Sequence, residues 1–283
     1  MQAANRLQKA LRSGSGLSFG AWQELPGTNH SRALARSGFD WILVDMEHGN
    51  IDDGVMHESV AAIAACGASP IVRVAGNESW MVKRALDAGA HGVVIPLLCT
   101  VQDVRKAVSF TKYPPRGVRG FGPTFASQSF GNIPMMEYLK QADEGILTVV
   151  QIETKEALAD VDEIAKVPGL DVLFAGPFDL GINIGHPIKD GKMPDKLKEA
   201  LAQILRAAEN NGKRAGIYCT SGEQARNFAD QGFHMISVCA DIDVLQAGLA
   251  SALVTAKGSI AHSAYNLAKG AVGKIGSSGK DKP

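Results

Sequence analysis

No apolar run in the 283 residues approaches the ~18 needed for a membrane span, so the sequence reads as a soluble protein with no membrane partner. Charge bias is also missing. Lys and Arg together number 29, and so do Asp and Glu; no global field draws the chain to nucleic acid or an anionic surface. A small polar molecule is the expected partner. The four cysteines, Cys66, Cys99, Cys219 and Cys239, are widely spaced and form no CxxC pair or zinc-ligand spacing with His. They are expected to be reduced thiols in a cytoplasmic compartment. Acidic residues are absent before Glu24, whereas Arg6, Lys9 and Arg12 precede it. That pattern leaves two readings open: a transit segment, or a short helix over 3–12 that covers the floor of the fold. No linker rich in Pro, Gly and Ser divides the core.

What is present is alternation. Eight short runs rich in β-branched and other apolar residues recur at 17–22, 40–46, 69–75, 91–97, 146–152, 170–176, 213–219 and 234–240. Segments with helical periodicity lie between them at 52–66, 79–88, 101–111, 155–167, 196–211 and 221–231. Several of the strand-like runs are continuously apolar, as in a parallel sheet covered on both faces. Eight such units in ~250 residues predict a (β/α)8 barrel, with a doubly wound open sheet as the competing architecture. The expected single domain spans 1–269, followed by a flexible tail over 270–283. Segment 113–134, with four Gly, four Pro and no periodicity, reads as a long ordered loop, and loops of this length are often functional.

Chemistry in a parallel barrel collects where strands end. Trp22 follows the first run, and Asp45, Glu47 and His48 the second. Arg73 lies at the end of the third, and Gln151 and Glu153 at the end of the fifth. Gly176, Phe178 and Asp179 follow the sixth. Singly, most have structural explanations: Asp179 could cap a helix, Glu153 could sit in a helix's first turn, and His48 could be a hydrogen-bonded structural residue. Arg73 is harder to explain this way, because an arginine within an apolar strand needs a buried anionic partner.

Taken together they suggest a site. Glu153 and Asp179 supply two hard oxygen ligands suited to Mg2+ or Mn2+, which can polarise a 2-keto acid as a Lewis acid. Arg73 would meet the charge on that acid, His48 would be the base, and Asp45 would orient the His48 ring. Glu47 is expected as a supporting partner. Gln151 could hydrogen-bond the substrate, and Gly176 permits close backbone approach. The competing functions are a non-catalytic barrel that keeps a keto-acid site, and a phosphate-binding barrel isomerase. For the isomerase, the stretches after the last two strands supply only Gly222.

Five landmarks occur in a fixed order: Gly20-Ala21-Trp22, Asp45-Met46-Glu47-His48-Gly49, Arg73, Gln151-Ile152-Glu153 and Gly176-Pro177-Phe178-Asp179-Leu180. In this the chain resembles the HpcH/HpaI class II aldolases over about residues 5–260. The resemblance implies a divalent-metal-dependent carbon–carbon lyase that cleaves and forms hydroxy-keto acids through a pyruvate enolate. It implies Glu153 and Asp179 as ligands of Mg2+ (or Mn2+ or Co2+), Arg73 and Gln151 as keto-acid contacts, His48 with Asp45 as acid/base dyad, and Trp22 as a pocket wall. It further implies a C-terminal helix, around 242–255, that can swap onto a neighbour in a homo-oligomer, a hexamer built as a trimer of dimers. Segment 116–131 looks most like the macrophomate synthases of the family, which decarboxylate oxaloacetate and add the enolate to a second substrate; Arg119 would meet that substrate from the loop, or anchor the loop on a carboxylate. Many relatives have Ala where this chain has Phe178, whose ring either narrows the pocket or joins helix packing.

Overall fold

The computed structural model describes residues 1–258. In chain order the elements are α1 (Arg6–Arg12), β1 (Ser18–Gln23), α2 (Thr28–Ala35), β2 (Trp41–Asp45), α3 (Asp53–Ala65), β3 (Ser69–Arg73), α4 (Ser79–Ala88) and β4 (Gly92–Ile95). Then come α5 (Val101–Thr111), α6 (Met135–Gly145), β5 (Leu147–Ile152), α7 (Lys155–Ala159), α8 (Val161–Ala165), β6 (Val172–Ala175), α9 (Pro177–Asn183), α10 (Asp195–Asn210), β7 (Arg214–Tyr218), α11 (Gly222–Asp230), β8 (Met235–Ala240) and α12 (Asp241–Lys257). The eight strands close in sequence order, β8 pairing with β1, and all eight pairings are parallel. This is the expected (β/α)8 barrel and rules out the open sheet.

Strands β2, β3, β4, β5 and β6 are buried along their whole length, because helices cover the outer face and side chains fill the interior. Glycine makes room for the largest rings. A Cβ at Gly20 would lie 2.1 Å from the Trp41 ring, and one at Gly216 would lie 2.4 Å from Phe174. Helix starts follow the local chemistry: Asp52, Thr100, Thr154 and Ser221 each accept a backbone N–H of the first turn, with a reciprocal Thr100–Asp103 box at α5.

Helix α1 is built into the floor. Its N-cap Asn5 donates to the carbonyls of His91 and Gly145, beside the starts of β4 and β5, and Leu7 and Leu11 are buried. This favours the floor-helix reading of the N-terminus. The helix expected over 155–167 is interrupted at Asp160, which leaves helical ψ and serves as the end of α7 and the start of α8. Three helices carried little sequence signal: α2 buries only Ser31 and Ala35, α6 follows directly on the Pro-rich loop, and α9 contains Pro177 at its first position and Gly181.

The compact barrel unit comprises Met1–Asp241, and a second unit opens at Ile242. Within that unit, α12 exposes Val244, Leu249, Leu253 and Val254. The proposed tail over 270–283 lies outside the described residues. All four cysteines are free, and burial pushes the Cys219 thiol up to about 12. Among the described residues no helix is long and apolar enough to cross a membrane.

Candidate active site

The β2–β3 register sets Asp45 opposite Arg73. Arg73 Nε donates to Asp45 Oδ1 at 2.8 Å and Nη2 donates to Oδ2 at 2.5 Å, a two-pronged ion pair between side chains that are 8% and 0% exposed. Glu47 Oε2 lies 3.0 Å from Arg73 Nη1 as a second anion. The buried partner that Arg73 required is therefore Asp45, backed by Glu47. Trp22 completes this base: its Nε1 donates to Asp45 Oδ2 at 2.9 Å, and the Arg73 guanidinium stands 4.9 Å from its ring centroid. Burial alone would raise the Asp45 carboxyl. Arg73, the indole N–H and the Glu47 backbone N–H together hold it below the usual carboxylate range.

This arrangement corrects one expectation. Asp45 Oδ1 also accepts the backbone N–H groups of Glu47 and His48, at 3.0 and 3.4 Å. Its oxygens are thus committed to Arg73, Trp22 and the turn, and not to the His48 ring. Asp45 orients the guanidinium and the loop that carries His48; the imidazole itself is exposed at the mouth.

Glu153 is 2% exposed. Its Oε1 accepts the Leu97 N–H at 2.8 Å and its Oε2 accepts Gln151 Nε2 at 2.7 Å, while Gln151 Oε1 takes a long contact from Arg73 Nη1 at 3.4 Å. Leu97 presents that N–H from a left-handed backbone, φ 54°, a conformation uncommon for a residue with a side chain. Burial raises the Glu153 carboxyl to about 7; the Leu97 N–H opposes the shift, and the neighbouring Asp179 and Glu47 charges add to it. Glu47 is raised as well, by burial in the first place. Gly176 lies against this carboxylate: a Cβ there would stand 2.5 Å from Glu153 Oε2.

Neither structural alternative for the two carboxylates holds. Thr154 caps α7, so Glu153 precedes that helix and is not in its first turn, and α9 starts from Gly176 with no side-chain cap, leaving Asp179 in its first turn and not at its cap. Two hard carboxylates whose negative charges crowd one another, next to an arginine already committed to Asp45 and Glu47, suit a divalent cation. Among the described residues no cluster of three or more His, Cys, Asp or Glu side chains forms a ready-made cage. Two ligands with the remaining positions left to water and substrate is the pattern of Mg2+ sites.

A cavity of about 190 Å3 opens at this mouth, lined by Trp22, Glu24, His48, Arg73, Gln151, Gly176, Pro177, Phe178, Asp179 and Tyr218. It is small beside the roughly 300–1,000 Å3 of drug-sized pockets. Phe178, 43% exposed, stands on its wall, edge-on to Tyr218 at 6.2 Å, and Tyr218 meets Trp22 at 5.1 Å. Of the two readings of Phe178, the pocket wall is the one seen. Glu24 and Tyr218 were missed in the sequence. Both lie at strand ends, Glu24 just past β1 and Tyr218 as the last residue of β7, and that position was the available signal. The left-handed Leu97 had none.

Arg119 is elsewhere. Its side chain is buried, donates through Nη2 to Asp87 Oδ1 and Tyr138 Oη at 3.1 Å each, and packs 4.7 Å from the Tyr113 ring centroid. It anchors the 113–134 loop on a carboxylate and does not line the cavity, and neither does any other residue of that loop.

A closed parallel barrel that gathers a carboxylate pair, a guanidinium and an imidazole at the C-terminal ends of its strands defines a barrel enzyme. Residues 19–247 match the family described as HpcH/HpaI aldolase/citrate lyase, and the chain belongs to that family and is a lyase. It is 38% identical over 237 residues to a hydroxypyruvate/pyruvate aldolase from Rhizorhabdus wittichii, covering 83% of this chain and 92% of that one. It is 32% identical over 244 residues to a 5-keto-4-deoxy-D-glucarate aldolase from Salmonella arizonae, with 86% and 93% covered. Among solved structures, a family member from Burkholderia cenocepacia J2315 superposes with a TM-score of 0.81 at 34% identity, covering 90% of this chain and all 100% of the other. Macrophomate synthase does so with a TM-score of 0.78 at 28% identity, 90% of each chain being covered. The family membership sets aside the non-catalytic and phosphate-isomerase readings.

Proposed function

We propose that the protein is a divalent-metal-dependent aldolase that makes and breaks 4-hydroxy-2-keto acids through the enolate of pyruvate. The observation that carries this reading is Glu153, a buried carboxylate pushed up to about 7 by burial and by the neighbouring Asp179 and Glu47 charges. It does not itself line the cavity but contacts Gln151 and Gly176 of the wall that Arg73, His48 and Asp179 also line. Glu153 and Asp179 would hold the cation, Mg2+ or alternatively Mn2+ or Co2+, and the bound cation would supply Lewis-acid stabilisation of negative charge on the keto-acid oxygen. The chain's own residues do the rest. Arg73, fixed by Asp45 and Glu47, directs donors at the substrate anion from a position that needs no reorganisation. Gln151, bonded to Glu153, orients that carboxylate and faces the cavity. His48, on a turn pinned by Asp45, moves the proton at the carbon or hydroxyl being bonded.

Decarboxylation of oxaloacetate generates the same enolate without proton abstraction, and remains the second activity to assay, as suggested by the likeness to macrophomate synthase. With Arg119 serving as a loop anchor, that likeness has lost the residue proposed to meet a second substrate. We further propose a cytoplasmic homo-oligomer, a hexamer built as a trimer of dimers, in which the apolar residues of α12 are covered by a neighbouring subunit.

The test is incubation of pyruvate with Mg2+ in D2O, with and without glycolaldehyde, and of oxaloacetate alone. Deuterium entry into the pyruvate methyl group, aldol product and their loss in EDTA are expected. Failure of all three substrate reactions with metal present would sink the reading.

A further inference from the structure

The Leu97 N–H reaches Glu153 Oε1 at 2.8 Å from a left-handed backbone, φ 54°. In a residue with a Cβ that conformation crowds the following carbonyl oxygen, and it persists only where surrounding contacts impose it. The Leu97 side chain, 58% exposed, does not impose it. The next residue does: the Leu98 side chain is buried, and the Leu98 carbonyl accepts Thr154 Oγ1 at 2.9 Å. Thr154 directly follows Glu153 and is itself buried, and the same hydroxyl oxygen accepts the Ala157 N–H at 3.1 Å as the cap of α7. Two bonds thus run in opposite directions between consecutive residues, Leu97 to Glu153 and Thr154 to Leu98, and clasp the end of β5 to the loop after β4.

We propose that Thr154 is a positioning residue for the proposed metal ligand Glu153, acting through Leu97. This rests on the reading of Glu153 as a ligand and extends it to what aims the carboxylate. A hydroxyl carries one proton and two lone pairs. In Thr154 a lone pair takes the Ala157 N–H and the proton goes to the Leu98 carbonyl. Valine has the same shape and can do neither. Without the bond to Leu98, Leu97 relaxes toward negative φ, which shifts its N–H and leaves Glu153 Oε1 without its partner in a buried site. The Gln151 amide on Oε2 then holds the carboxylate by one oxygen only. Partners that orient a ligating carboxylate set metal affinity although they do not touch the metal.

The experiment titrates the full-length, metal-stripped protein with Mn2+ by calorimetry, with free Mn2+ followed by electron paramagnetic resonance. Thr154→Val is expected to weaken Mn2+ binding by about tenfold or more, and Thr154→Ser, which keeps the hydroxyl, to bind as the wild type does. Because Thr154→Val also removes the cap of α7, circular dichroism checks that each variant is folded at the titration temperature. Glycine adopts positive φ without the Cβ penalty and keeps the N–H, so Leu97→Gly in the Thr154→Val background should recover most of the lost affinity. A lost helix cap would not be repaired by that change. Wild-type affinity in Thr154→Val, or a loss that Leu97→Gly fails to recover, overturns the assignment and leaves Glu153 as a ligand. Glu153→Gln tests the ligand reading separately: if it binds Mn2+ as the wild type does, or if the wild type binds none, both readings fall.

Discussion

Glu153→Gln should stabilise the metal-free protein at neutral and alkaline pH while removing its response to metal. An ordinary Glu titrates near 4.5 and Glu153 near about 7. Between those values the folded chain holds a proton that the unfolded chain has lost, so stability falls as pH rises through this window and levels off above it. At ~1.4 kcal/mol for each tenfold change in proton affinity, the penalty above pH 7 is roughly 3 kcal/mol. The amide carries no such penalty but has one oxygen for two donors, Leu97 N–H and Gln151 Nε2; Gln151 must turn its own amide over, at a cost of ~1 kcal/mol. The net gain at pH 8 is about 2 kcal/mol, and below pH 4.5, where the wild type carries no penalty, it should turn into a deficit of about 1 kcal/mol. Equilibrium urea unfolding in EDTA at pH 4 to 9, followed by circular dichroism, measures this difference. Asp45 titrates in both proteins, so its contribution cancels, while the repulsion from Glu47 is already counted in the Glu153 shift. Adding Mg2+ should reverse the order, since a ligand stabilises only the form that binds it. Equal stability at pH 8, or a difference that does not change with pH, would refute the reasoning.

Asp45→Asn leaves the Arg73 guanidinium buried with Glu47 as its remaining ion-pair partner among the described residues and Glu153 as a more distant charge; the expected loss is about 3 kcal/mol, the low end for breaking a buried pair. Because the Asp45 carboxyl is held below its ordinary value, its contribution is present above pH ~4 and lost as pH falls through the folded value, so the variant should lose less stability on acidification than the wild type. Gly176→Ala places a methyl 2.5 Å from Glu153 Oε2 and should weaken Mn2+ binding by about tenfold or more, as for other disturbances of ligand orientation. Calorimetric titration giving wild-type affinity would mean that Glu153 is not a ligand.

The barrel was legible because its causes are local. Continuously apolar runs such as WILVD and VVQI mark strands covered on both faces, and the intervening periodic segments mark crossover helices. The start of α5 could be read from Thr100 and Asp103, which satisfy one another's backbone donors. The break at Asp160 and helices α2 and α9 were less legible, since α2 buries few side chains and α9 contains Pro177 and Gly181.

In the site, the sequence by itself determined which strand ends carry ionisable groups, and that Arg73, inside an apolar strand, had to meet a buried anion. Only the tertiary structure decided which anion. The β2–β3 register brings Asp45 onto the guanidinium and away from the His48 ring. The packing of Tyr113, Tyr138 and Asp87 draws Arg119 out of the mouth, and closure of β8 on β1 brings Asp241 beneath Glu24, 217 residues away in sequence. Local sequence sets the inventory of charges. Pairing among them depends on distances of a few ångströms across different strands, and those distances exist only once the barrel has closed.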